Sequence, residues 1–202
     1  MKSLGRDIWS ANQFKLNFWK IIEGVEIVVE VHSKLLNQNE DWDYQIREGG
    51  FLSLADNLVH LIGHLAYQHT FYKIHWLVDI ELFFRKYRDE IDWNRVFELI
   101  ERNNLKRSFV LTFMALKNNF NIEFDSKIEK KIDQYRDRIV SLGLRFLTPR
   151  FLWETVEMPF HYYLIKHCTK DKLRVAFSYD IRWMKRKLWV RSKKNILEEQ
   201  EA

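Results

Sequence analysis

Hydrophobic and polar positions alternate with a period of two at the start of this chain, and further on they recur every three to four residues. The run Val25-Glu26-Ile27-Val28-Val29-Glu30-Val31-His32 puts valine and isoleucine on one face and Glu26, Glu30 and His32 on the other. That is the pattern of a half-buried strand. Phe14 to Ile22 (FKLNFWKII) also has strand character, and Glu23-Gly24 supplies a turn between the two runs, so a hairpin is expected. A two-stranded hairpin is marginal in water by itself and needs further strands or a helical layer.

Residues 37–50 are polar and end in Gly49-Gly50, which reads as a connection. Ser53 then stands as an N-cap with Asp56 three residues on, a variant of the capping box. Over 54–69, Leu54, Leu58, Leu61 and Leu65 form an apolar stripe, with Asp56, Asn57, His60, His64 and Gln68 opposite. The segment from Ile74 to Arg88 is apolar nearly all round, which predicts the central helix of a bundle. Asp92 is placed to cap a third helix running to Asn103, and Leu105 to Phe120 supplies a fourth. Ile128, Ile132, Ile139 and Leu142 predict a fifth helix that continues to Leu147, after which Pro149 and Pro159 break the chain. Leu173, Phe177, Ile181, Met184 and Leu188 form the stripe of a last amphipathic segment. The expected class is α+β and mostly α-helical, with an N-terminal β-hairpin packed on a helical bundle.

Composition narrows the options. With 47% hydrophobic and 15% aromatic residues, the 202-residue chain is foldable rather than disordered. Two prolines and six glycines favour helices over a turn-rich sandwich. The one cysteine, Cys168, excludes an internal disulfide or a thiolate-rich metal site, which points to a reducing compartment. No signal-like or membrane-spanning apolar run is present, so the expected location is the cytoplasm. The net charge of +5 is uneven: from Lys166 to Lys194 there are eleven Lys or Arg against Asp171 and Asp180.

Several side chains carry potential chemistry. Glu30 and His32, two apart on a strand, can reach one bound ion; the plain alternative is a solvated or helix-covered face. His60 and His64 lie one helical turn apart with Asp56 a turn behind, a spacing that can hold Zn²⁺ but that also serves capping and boundary hydrogen bonds. His75 and Asp79 are four apart and read as a structural pair, because an unpartnered carboxylate in so apolar a helix would be costly. The basic C-terminal stretch, with Lys185, Arg186 and Lys187 among Phe177, Tyr179, Trp183 and Trp189, suits nucleic acid or an anionic surface, or is simply a solvated helix face.

The ordered set VEVHSKL, LADNLVHLIGHLAYQH, HWLVDIELFF and IDWNRVFELIERNNLKRSF resembles the C-terminal two-thirds of a family of uncharacterised bacterial nucleotidyltransferases in the polymerase-beta-like superfamily. The resemblance covers roughly residues 14–120. The family pattern falls on Glu30 and His32, with Ser33 where tryptophan is frequent, then on His60 or His64, Trp76-Leu77, Asp79 and Asp92-Trp93. It implies that the hairpin is the remnant of a nucleotidyltransferase sheet and that Glu30 is the third of three carboxylates that hold Mg²⁺ against nucleotide phosphates. It further implies that His32, His60, His64 and Asp79 line the site.

The superfamily's Gly-Ser or Gly-Gly turn and its strand-borne Asp-x-Asp do not precede Glu30 here. Asp41-Trp42-Asp43 lies after that strand among polar neighbours, and Gly49-Gly50 leads into a helix. The expectation is a truncated protein, or one inactive alone, that takes a nucleotide and has an open sheet edge for a protein partner or a second copy. The expected parts are 1–48 (sheet), 49–122 (helical) and 123–202 (basic helical extension). The alternative is a non-enzymatic helical module that binds nucleic acid, an anionic surface or a protein through its basic C-terminal helix.

Overall fold

The computed structural model describes residues 15–22, 25–32, 45–153, 159–172, 174, 177, 180 and 181. The chain is mostly α-helical and divides into two compact units, 1–45 and 46–202. In the first, strands β1 (Lys15–Ile22) and β2 (Val25–His32) pair antiparallel, with Asn17 opposite Glu30 and Lys15 opposite His32. Asp41-Trp42-Asp43 and Lys185, Arg186 and Lys187 lie outside the described residues.

The second unit begins with a tight turn in which Arg47 N–H donates to the Phe51 carbonyl and Gly50 N–H to that of Arg47. Gly49 and Gly50 have φ of 84° and 81°, which side chains with a Cβ rarely adopt. Helix α1 (Leu54–His64) follows, its Asp56 N–H capped by Ser53 Oγ at 3.1 Å. The chain then passes into a π-helical segment, Leu65–His69, and continues as α2 (His75–Tyr87), α3 (Trp93–Arg102), α4 (Lys106–Phe120), α5 (Ser126–Tyr135), α6 (Arg138–Phe146), α7 (Pro149–Trp153) and α8 (Pro159–Cys168). Asp92 caps α3 as its sequence position predicts, accepting from the N–H groups of Asn94 and Arg95.

The central helix is α4, not α2. Ser108 to Phe113, Ala115 and Leu116 are all buried, and α4 packs on α1, α2, α3, α5 and α6. Its aromatic neighbours mesh edge to face, Phe84 on Phe113 and Phe97 on Phe109 both at 5.9 Å between ring centres. In α2 only Leu77, Ile80, Glu81 and Phe84 are buried, one i, i+3, i+4, i+7 stripe. Leu82 is 59% exposed, and Asp79 and His75 are exposed too. The carboxylate of Asp79 therefore pays no desolvation cost, and no ion pair joins it to His75 among the described residues.

The long fifth helix is two helices. Asp137, in extended conformation (φ −127°, ψ −179°), accepts the Val140 N–H at 2.7 Å and starts α6 afresh. Pro149 and Pro159 open α7 and α8 rather than interrupting a helix, at the first position where the missing N–H costs nothing. Among the described residues no helix is long and apolar enough to cross a membrane.

Candidate functional site

A row of imidazoles runs down one side of α1 into the π segment. Asp56, His60 and His64 are spaced one α-helical turn apart. The π segment widens the turn to an i→i+5 repeat, so His69 rather than Gln68 comes under His64. Its Nε2 lies 2.9 Å from the Nε2 of His64, so at that contact one ring donates and the other accepts. The His60 and His64 ring centres are 5.6 Å apart. Trp76, near the start of α2, stacks on His69 at 3.8 Å with an interplanar angle of 16°.

The turn beside this row is strained. Thr70, Phe71 and Lys73 have φ of 52°, 59° and 79°, and non-glycine residues in that region cost on the order of 1–3 kcal/mol each. Burial of Phe71 and Thr70, with 0% and 1% exposure, holds the turn in place, together with the Phe71 N–H donating to the Leu65 carbonyl at 3.2 Å.

At the other end of the row Asp56 is fully buried, although its sequence position sets it on the polar stripe opposite the leucines. The buried stripe of α1 is Ala55, Leu58, Val59 and Ile62, so Asp56 flanks the core instead of facing away from it. Its Oδ2 receives the Ser53 hydroxyl, and its Oδ1 lies 3.5 Å from a guanidinium nitrogen of Arg95, itself 8% exposed. Arg95 also reaches Glu98 at 3.2 Å. Two charges taken out of water in this way must be held together.

A second polar cluster ties Lys170 and Asp171, just past α8, to the start of α4. Asp171 accepts the backbone N–H groups of Lys106 and Arg107 at 2.9 and 2.8 Å, placing a carboxylate on the N-terminus of α4. Arg107 donates to Asp137 at 2.8 Å. Lys170 is 1% exposed; its Nζ donates to Thr169 Oγ1 at 2.8 Å and lies 3.9 Å from the centre of the Tyr67 ring. Burial first, and the positive charge of Lys166 second, push its ammonium down to about 7. Burial likewise lowers His167 and raises the Cys168 thiol, which stays protonated at neutral pH.

The structure thus brings His60 beside His64 and His64 onto His69, holds Asp56 on Ser53 and Arg95, and leaves Asp79 on an exposed surface, while Glu30 and His32 are placed by backbone register alone. His69, Arg95 and Lys170 were not singled out by sequence. A histidine five residues after His64 signals nothing until the helix is known to widen there, Arg95 looks like any polar residue in a first turn, and Lys170 is lost in a basic run. Among the described residues no group of three or more His, Cys, Asp or Glu side chains is arranged to hold a metal. The imidazole row does not fit Mg²⁺, which takes oxygen ligands. Glu30 is an oxygen donor of the right chemistry, one carboxylate among the several oxygens such an ion needs.

Comparison with known proteins adds one match. The family model described as uncharacterised nucleotidyltransferase matches residues 11–121. No curated protein and no solved structure matches the chain.

Proposed function

The chain belongs to the family of uncharacterised nucleotidyltransferases, and from that premise we propose that it binds a nucleoside triphosphate with Mg²⁺ and serves nucleotidyl transfer to an acceptor. The observation that carries this reading is the family match itself, which runs over β1, β2 and the helices through α4. Mg²⁺, when bound, would neutralise phosphate charge and orient the nucleotide. Glu30 is the residue of this chain assigned to it. The residues of 49–122 form the helical part of the enzyme and 123–202 an extension to it.

The imidazole row has a separate role, as donors and acceptors toward a polar ligand of the helical unit. Three strained residues adjoin it, and strain of that kind concentrates where function maintains it. His60 and His64 are the side chains assigned here. Asp41-Trp42-Asp43 is the sole Asp-x-Asp in the sequence and does not precede Glu30 on a strand. The chain alone should therefore transfer nucleotide slowly, and the hairpin edge is the place for a polypeptide or second copy that brings further carboxylates.

Thermal melting tests the reading. With a nucleoside triphosphate at about a hundred times its Kd, stabilisation of about 2.7 kcal/mol corresponds to a rise of roughly 5–10 °C for a chain of this size. That rise should require Mg²⁺ and be lost in Glu30→Ala. A rise of equal size without Mg²⁺, or one that Glu30→Ala retains, would refute the assignment.

A further inference from the structure

The bend between α5 and α6 opens a cleft of about 690 Å³ lined by Asp133, Arg136, Asp137, Arg138, Ser141, Leu142 and Arg145. It belongs to residues beyond the family-matched segment. Its charge is not balanced. Asp137 is committed to Arg107 and to the Val140 N–H, which leaves Asp133 against three exposed arginines. Among the described residues no ion pair engages Arg136, Arg138 or Arg145.

Arg138 and Arg145 are seven residues apart, two helical turns, and so share a face of α6 about 10 Å long. Ser141 and the 43% exposed Leu142 lie between them. A single phosphate does not span that distance, whereas a chain of phosphodiesters does. One residue past Arg145, Phe146 of α6 packs against Phe160 of α8 at 6.0 Å, and Phe160 remains 64% exposed. A row of guanidiniums with an apolar step and an exposed ring beside it is what a single strand uses, phosphates on the cations and bases on the flat surfaces.

We infer that the α5–α6 cleft binds single-stranded nucleic acid through Arg136, Arg138 and Arg145, and that the strand is the acceptor. The acceptor role rests on the nucleotidyltransferase reading; the binding does not. Asp133 limits affinity, so the site is a moderate one that weakens as salt rises.

The test is fluorescence-anisotropy titration of the whole chain with labelled single-stranded RNA and DNA about 12 nucleotides long, over a series of salt concentrations. The triple variant Arg136→Gln, Arg138→Gln, Arg145→Gln changes only exposed side chains, and its melting temperature checks that it folds. It should bind about tenfold or more weakly, with a salt slope shallower by about one for each phosphate that is no longer neutralised. Inorganic triphosphate should compete poorly at equal phosphate concentration, and phosphatidylserine vesicles should not displace the strand. Unchanged affinity in the triple variant would overturn the proposal, as would competition by triphosphate or vesicles equal to that of the strand. Glu30→Ala should bind the strand normally. Normal strand binding with no Mg²⁺-dependent nucleotide effect would refute the nucleotidyltransferase reading and leave the cleft assignment standing.

Discussion

Asp56→Ala should destabilise the helical unit by about 3–5 kcal/mol, the usual cost of removing one partner from a buried ion pair. Asp56 is 0% exposed and Arg95 8%, so the guanidinium left behind can neither hydrate nor lose its proton. Glu98 offsets part of this, but its side chain is 56% exposed and its attraction is screened by water. Removing the partner of the Ser53 hydroxyl adds a smaller capping penalty. Urea unfolding would show the effect as a lower midpoint at an unchanged slope. The double variant Asp56→Ala, Arg95→Met should recover much of the loss, because it removes the stranded charge. If the single variant costs under about 1 kcal/mol, the pair is not holding α1 to α3.

Lys170→Met should stabilise the protein at neutral pH, by an amount that shrinks as the pH rises. The folded protein holds this ammonium down at about 7, from an ordinary value of 10.5. Between those values the unfolded chain binds the proton and the folded one does not, so stability rises with pH across that window. Below about 7 the full penalty is present, and above 10.5 none of it remains. The Tyr67 face attracts a desolvated cation by about 2 kcal/mol. A depression of this size outweighs it, so the neutral amine prevails just above neutrality.

Between pH 7 and 9.5 the wild type should therefore gain on the order of 2–4 kcal/mol relative to Lys170→Met. Its charged neighbours are Lys166 and Asp180, and His167, lowered by burial, titrates below this range. A methionine keeps a favourable sulfur contact with the Tyr67 ring. Equal destabilisation of Lys170→Met at both pH values would show that Lys170 is buried as a cation held by the ring.

What the sequence showed and what it concealed differ by mechanism. The caps at Ser53 and Asp92 were legible because the side-chain oxygen and the backbone N–H it satisfies lie within three residues. The mostly helical class was legible from the three-to-four-residue recurrence of apolar positions. The break at Arg136 and Asp137 was not, because Ile128, Ile132, Ile139 and Leu142 keep a helical spacing across it, and the aspartate that restarts the helix sits among many charged residues. The central position of α4 over α2 was concealed too. Composition gives the apolar content of a segment, but which sides are covered depends on neighbours distant in sequence, and Leu82 is left outside.

The candidate site divides the same way. His60 and His64 were visible from their spacing. The π turn that brings in His69 depends on the left-handed residues Thr70 and Phe71, neither of which has the composition of a turn. Arg95 became part of the site only through its long-range partner, Asp56.

The proposed assignment of Glu30 to a metal ion and its bound nucleotide is open to direct measurement. Mn²⁺ in place of Mg²⁺ gives a direct readout, since electron paramagnetic resonance distinguishes free from protein-bound ion. With a nucleoside triphosphate present, Mn²⁺ should bind the wild type, fail to bind Glu30→Ala, and still bind His64→Ala, whose imidazole is not assigned to the metal. Equal nucleotide-dependent Mn²⁺ binding by the wild type and Glu30→Ala would contradict it.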